Sequence, residues 1–347
     1  MRAITMLGAA CLCAVAVMPA AAAAQAASTG SGQAASTGSG QAASTGSGQA
    51  YPTKPIRMIV PWSPGGTSDT IARILGQKMT EAWGQQVVID TRPGASGMIG
   101  TELAMRAPAD GYTLLHGNMS QWATNPSLYK VNYDTLRDFA PISMVATAPQ
   151  LLVVHPGVPA KSVQELIQLA RARPGGLNFG SGGAGTLAYP AGELFKMMAG
   201  VNMVHIPYKG TILALNDLLA GQVQVVFSDM PIALPHANSG RVRALAVTSA
   251  KRTPLLPAMP TVAESGVPGY ALENSWGVFA PRRVPRHIAA KLNAEVVRVH
   301  GLRDVKERYA GLGLEAVSSA PEQFAEFIKS DAAKFDKIIK STGAKVD

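Results

Sequence analysis

The chain has 347 residues, 47% apolar and 15% charged, with a formal net charge of +9. This length and balance exclude a mainly disordered chain and leave room for two α/β lobes, each with its own core. The basic excess can steer anions towards clefts, or mark a surface with no specific partner. Few aromatics, no stacking motif, no zinc finger and no dense Lys/Arg run argue against nucleic acid.

The N-terminus reads as a secretory signal over residues 1–24. Arg2 precedes an Ala/Leu/Val-rich run from Ala3 to Met18, then Pro19 and small-residue sites at Ala20-Ala21-Ala22 or Ala22-Ala23-Ala24. The run is short and Ala-rich for a membrane span, so export with cleavage is expected, and the loss of Arg2 leaves +8. Both cysteines, Cys11 and Cys13, lie inside this run, and neither has Leu three residues ahead, as lipid attachment would want. The expected product is a soluble periplasmic protein without disulfide or thiol chemistry. Residues 25–50 carry AASTGSGQ three times, Ala26 to Gln33, Ala34 to Gln41 and Ala42 to Gln49. This is a coil spanning roughly 25 to 30 Å, read as a spacer or as a tandem duplication without a role.

From Tyr51 strands and helices alternate. Ile56 to Val60 is a nearly continuous apolar run, as for a strand covered on both faces. Pro61 and Pro64 stop it, Gly65-Gly66 turn, and a helix to Trp83 follows with Ile71, Leu75, Met79 and Ala82 as its stripe. Thr67 or Ser68 is expected to cap that helix, and its free amides favour a carboxylate or phosphate above Gly66. The same stretch also reads as a tight turn holding no ligand. Next come strand Gln86 to Asp90, a helix near Ile99 to Arg106, strand Tyr112 to Leu115 after the Asp110-Gly111 turn, and Ala140 to Val154, an edge strand and then a crossing strand.

A capping box, Ser162 with Glu165, opens a helix to Arg173. Strand Leu177 to Phe179 leads into GSGGAGT, Gly180 to Thr186, and a helix starting near Tyr189. Then follow strand Met203 to Pro207, helix Ile212 to Ala220, and strands Val223 to Phe227 and Val242 to Val247, read as a second parallel lobe. Trp276 to Ala280 returns to the first lobe. A helix Arg286 to His300, a strand Leu314 to Val317 and a helix capped by Ser319 and Glu322 close it. That last helix is expected to bury Phe324, Phe327, Ile328, Phe335 and Ile338.

The motifs exclude more than they assert. Gly180, Gly182 and Gly185 spell GxGxxG, but the next strand ends at His205 to Tyr208 without the acid a dinucleotide ribose needs, and there is no Walker GxxxxGK[ST]. These glycines read as a second backbone nest, with Ser181 and Thr186 as hydroxyl donors. There is no GxSxG elbow and no HExxH, and the six histidines show no metal-ligand spacing. No metal and no cofactor is expected. Asp69 sits in a first helical turn, where the dipole alone accounts for a carboxylate, and Lys209 either meets an anionic ligand or faces solvent. Two amide nests, one per lobe, facing across a cleft would bind a small acid and close on it by hinge motion.

In order along the chain, YPTKPIRMIVPWSPGGTSDTIAR, TRPGASGMIG, ADGYTLL, NPSLY, AGELFK, HIPYKG, DLLAGQV, RALAVTS and PTVAESGVPGY resemble the Bug (TctC-like) family of substrate-binding proteins of tripartite tricarboxylate transporters. The resemblance implies an α/β, two-lobed periplasmic binding protein fold (type II), each lobe a mainly parallel sheet flanked by helices, with two crossing strands as hinge. Residues 51–149 and 276–347 would form lobe 1, and 150–275 lobe 2. It also implies capture of a di- or tricarboxylate, acidic amino acid or aromatic acid by a monomer that delivers it to permease subunits in the membrane. Carried onto this chain, Gly65, Gly66, Thr67 and Asp69 would grip from lobe 1, Ser181, Gly183 and Thr186 from lobe 2, and Asn118, Met119 and Ser120 would line the cleft. Two departures stand out: Tyr189-Pro190 where the family has His-Leu, and Ser228, beside Asp229, where it has Asp. They open the site to a larger or less charged ligand, such as an aromatic acid stacking on Trp62, Trp122 or Tyr189. Two rival readings remain, a secreted α/β enzyme using Asp69 or Asp229 and a receptor docking on a sensor kinase.

Overall fold

The computed structural model describes residues 51–343; the expected signal, both cysteines and the repeats lie outside the described residues. The strands are β1 (Ile56–Val60), β2 (Val87–Thr91), β3 (Thr113–Asn118), β4 (Phe139–Val154), β5 (Asn178–Ser181), β6 (Val204–Pro207), β7 (Val225–Asp229), β8 (Arg243–Val247), β9 (Glu273–Pro281) and β10 (Glu315–Ala316). The helices are α1 (Thr67–Trp83), α2 (Met98–Met105), α3 (Asn125–Leu128), α4 (Thr135–Asp138), α5 (Val163–Ala172), α6 (Ala188–Ala199), α7 (Thr211–Leu219), α8 (Met230–Asn238), α9 (Arg286–Gly301), α10 (Arg303–Gly311) and α11 (Pro321–Thr342).

One strand joins everything. The first 11 residues of β4, Phe139 to Pro149, pair antiparallel with β9, whose other edge pairs with β3, and the order continues through β1 to β2. The last residues of β4, Gln150 to Val154, pair with β7 on one side and β8 on the other, and β7 leads to β5 and β6. Strands β1, β2 and β3 are parallel, as are β5, β6 and β7, so the connecting helices cover both faces. That coverage is why β1 buries Ile56, Met58, Ile59 and Val60 completely.

Several expectations need correction. The edge strand expected from Ala140 is not among them: residues 139–145 pair with β9 alone, β10 joins the other side only at Ala146 and Thr147, and Pro141 stands in that one-sided part, next to the register shift before Ser143. The second set of strands is mainly parallel as expected, since β5, β6, β7 and β8 share one direction and only the crossing strand β4 runs against β7 and β8. Helix α1 starts after Gly66 without a side-chain cap, so neither Thr67 nor Ser68 serves as one, and Ala82 is exposed. Ser319 does not cap α11. Its hydroxyl accepts from the Met144 amide at 3.1 Å, while Gln323 reaches back to the Ala320 amide at 3.0 Å and does the capping. Phe324, Ile328 and Phe335 are buried in α11, with Ile339 as their fourth member, and Phe327 and Ile338 only partly so. Helices α8 and α10 have no counterpart in the sequence reading.

Candidate ligand-binding site

Helix starts converge on one cavity of about 220 Å³ between the two sets of strands. The β1–α1 turn supplies Gly66, Thr67 and Ser68; the end of GSGGAGT supplies Thr186 and Leu187 ahead of α6; Gly210 and Thr211 open α7; and Asp229 opens α8. None of these four helices has a side-chain cap at its start; the Tyr189 and Leu213 amides bond back to the Thr186 and Gly210 carbonyls and Pro190 and Pro231 carry none, and the remaining first amides and the positive dipole ends are left for something else. Gly65, at φ 79°, takes the left-handed conformation that lets the chain turn sharply from β1 into α1.

Polar side chains complete the wall. Trp62 Nε1 and Gln150 Oε1 are buried without a hydrogen-bond partner, and the Thr67 hydroxyl is likewise without one although it lies near Asp229. Gln150 Nε2 donates to Asp229 Oδ1 at 3.0 Å and Asn274 Nδ2 to the same oxygen at 3.2 Å. Burial pushes the Asp229 carboxyl above its usual range, and the Gln150 and Asn274 amides and the Thr67 hydroxyl pull only partly against that. Ser68 Oγ accepts from Trp276 Nε1 at 3.0 Å, which fixes the start of α1 against β9. Among the described residues Asp229 is the single ionisable one in the lining, and no described Lys, Arg or His lines the cavity.

The residues proposed from sequence fall into three groups. Trp62, Gly66, Thr67, Asn118, Thr186 and Asp229 line this cavity. Gly65 shapes the turn beside it, and Gly183 lines an adjoining cavity of about 650 Å³ that also borders Trp62, Ser63 and Leu213 and holds Lys209. The others lie outside the lining. Asp69 is buried, with Oδ2 accepting from the Gly65 amide at 2.9 Å and pairing with Arg73, so it holds the turn rather than facing the space above it. Met119 and Ser120 are fully buried at the end of β3. Ser181 Oγ sits 2.7 Å from His205 Nε2, the Tyr189 ring lies 4.5 Å from that imidazole, and burial with nearby Lys196 lowers the imidazole to about 4. Ser228 is fully buried beside Asp229. Trp122 donates to Asp331 at 2.8 Å and packs on Phe279 and Phe324, so its ring belongs to the core. Gln150, Asn274 and Thr211 went unnoticed in the sequence; a Lys-Gly-Thr helix start was the signal for the last.

The two sides touch around the cavity. Thr124 Oγ1 donates to the Gly185 carbonyl at 2.6 Å, and a Cβ placed on Gly185 would stand 2.1 Å from Asn125 Oδ1 and 2.5 Å from Ser96 Cβ. Ala95 and Ser96, at φ 46° and 52°, are held in the left-handed region where that contact is made, and Asn125 Nδ2 donates to the Ser96 carbonyl at 2.9 Å.

Comparison with known proteins places this geometry. The family described as tripartite tricarboxylate transporter family receptor matches residues 71–344. Protein BugT of Bordetella pertussis is 38% identical over 298 residues, covering 85% of this chain and 91% of BugT. The solved structure of Rpa4515 from R. palustris with adipate is 37% identical with a TM-score of 0.83, over 85% of this chain and 100% of that one. MatC from Rhodopseudomonas palustris with bound malate is 29% identical with a TM-score of 0.79, over 83% and 100%.

Proposed function

The chain belongs to the tripartite tricarboxylate transporter receptor family, and from that premise we propose that it captures a small carboxylate in the cavity between β1–α1 and α6–α8 and presents it to permease subunits of such a transporter. Its fold is the mixed α/β periplasmic binding protein fold of its relatives, and its role is that of a receptor rather than an enzyme. The observation that carries the ligand class is the convergence of uncapped helix starts on a space without a cationic side chain. Backbone amides and dipole ends hold a carboxylate without a buried opposing charge, which would cost several kcal/mol to desolvate in the empty protein. Adipate in Rpa4515 and malate in MatC are acids of the size this cavity suits.

In this reading residues 51–149 with 276–347 form one lobe and 150–275 the other, and the protein acts as an exported periplasmic monomer. The lobes open and close about β4 and β9, the strands that pass between them. Gly66, Thr67, Thr186 and Asn118 hold the ligand, Gly65 shapes the turn that presents them, and Trp62 offers the ligand an indole N–H and a flat face. Ser181, Tyr189, Ser228 and Asp69 support the loops that do so.

Native mass spectrometry of protein purified from the periplasm, followed by a thermal-shift panel of organic acids, tests the proposal. A binder at 100 times its dissociation constant should stabilise the fold by about 2.7 kcal/mol. A well-folded protein that carries no acid and responds to none would refute it.

A further inference from the structure

The charge in the cleft has the wrong sign for a bare dianion. The lining contains one ionisable group, Asp229, and no cation to offset it; Lys209 lines only the adjoining cavity. Asp229 stands at the start of α8 without capping it, because its Oδ1 is turned to the amides of Gln150 and Asn274. Beside it, Gln150 Oε1 is a second acceptor, buried at 2% exposure and without a donor. One side of the cavity is therefore rich in acceptors. The opposite needs are met elsewhere, by the uncapped starts of α1, α6 and α7 and by Trp62 Nε1, all of them donors.

Resting on the carboxylate reading above, we propose that Asp229 selects ligands that carry a protonated amine as well as a carboxylate, so that the cargo is a zwitterion rather than a bare dicarboxylate. The carboxylate lies at the helix starts, and the ammonium group donates to Asp229 and to Gln150 Oε1. Pairing an ammonium there satisfies the unpartnered acceptor and replaces the water that burial has stripped from the Asp229 carboxylate. A dicarboxylate in the same place sets a second anion against Asp229, where the low local dielectric magnifies repulsion.

Isothermal titration with acids matched in length but differing at one end tests this: 6-aminohexanoate against adipate, glutamate against glutarate, and phenylalanine against 3-phenylpropanoate. The amine-bearing member of the best pair should bind about tenfold or more tightly to the wild type. In Asp229→Asn, which keeps an acceptor for Gln150 and Asn274, that preference should fall to about threefold or less while the bare acid gains affinity. Wild type that binds adipate or glutarate as tightly as its amine partner overturns the inference and leaves the carboxylate reading standing. A preference that survives in Asp229→Asn overturns the assignment to Asp229. Binding of no acid of either kind overturns both. Should Asp229→Asn melt far below the wild type, the wild-type pairs alone decide.

Discussion

Substituting Gly185 by alanine should weaken ligand binding without unfolding either set of strands. The backbone at Gly185 is not left-handed, so alanine is tolerated locally, but its Cβ would stand 2.1 Å from Asn125 Oδ1 and 2.5 Å from Ser96 Cβ. The connections after β2 and β3 would have to retreat from the GSGGAGT loop by about 1 Å to regain ordinary contact. That movement also stretches the 2.6 Å hydrogen bond from Thr124 Oγ1 to the Gly185 carbonyl. Overpacking of this kind costs about 1 to 3 kcal/mol and the hydrogen bond about 1 kcal/mol. In the proposed hinge motion an open cleft escapes both costs, so they would fall on the closed state alone. A net bias of about 2 to 4 kcal/mol weakens apparent affinity by about 30- to 800-fold. Isothermal titration with the best acid gives the affinity, and urea unfolding without ligand gives the stability. If affinity stays within about threefold of wild type, the reasoning that closure is made across Gly185 is wrong; if stability and affinity fall together, the contact serves the core instead.

Gly277→Ala provides the contrast, because its Cβ would meet the Phe324 ring at 2.1 Å in the middle of the β9 ladder. It should lower unfolding stability by about 1 to 3 kcal/mol, read by urea denaturation, and leave the affinity of the folded fraction unchanged. Thr67→Val keeps the shape of the α1 start but removes a buried hydroxyl that faces Asp229 and the cavity, so affinity should drop by about 0.5 to 1.5 kcal/mol in titration, with a smaller change in the melting temperature of the free protein. His116 predicts acid sensitivity. Burial lowers its imidazole to about 3 from the ordinary 6.5, with His300 adding to the shift, so the ring stays neutral in the fold while the unfolded chain takes up a proton below pH 6.5. Its contribution is complete above pH 6.5 and is lost as pH falls towards 3, reaching about 2 kcal/mol by pH 5. Denaturant titrations of wild type and His116→Phe at pH 7.5 and pH 5 should differ by that amount, and parallel losses would exclude His116 as the source.

What the sequence disclosed and what it hid follow one physical line. Strands β1, β3 and β7 were visible because helices cover both their faces, which leaves an apolar run in the chain. The β1–α1 turn was visible because two glycines and two prolines have few other uses at the end of a strand. Helix α8 was hidden by its own prolines: Pro231 suits a first turn, but Pro235 sits inside the helix, where sequence reasoning ends one. Helix α10 was hidden by its polarity, since only Val305 and Tyr309 turn inward. Strand β4 looked like two strands because Pro141 and Pro149 interrupt the pattern, and only the partners on either side show the chain running straight through. In the site, glycine turns gave themselves away, whereas Gln150 and Asn274 are unremarkable amides until β4, β7 and β9 bring them to the same carboxylate oxygen.

That meeting joins recognition to motion. Gln150 is the residue at which β4 exchanges its β9 partner for β7 and β8, and Asn274 lies on β9 opposite Ala148, one step from the end of that pairing. Both therefore stand on the strands that cross between the two sets, where a hinge has to bend. Asp229, the residue they hold, ends β7, begins α8 and is the register partner of Gln150 across β4 and β7, so it stays with them. A ligand bound at Asp229 and Gln150 Oε1 links the two sides only if its other end reaches the start of α1 at Gly66 and Thr67 across the cavity. An acid that reaches the α1 amides but leaves Asp229 unsatisfied gains affinity for both states alike and shifts no equilibrium, because closure needs a difference in binding energy between open and closed. On the proposed function, the acceptor-rich corner would decide which acids close the protein, not merely which ones enter it.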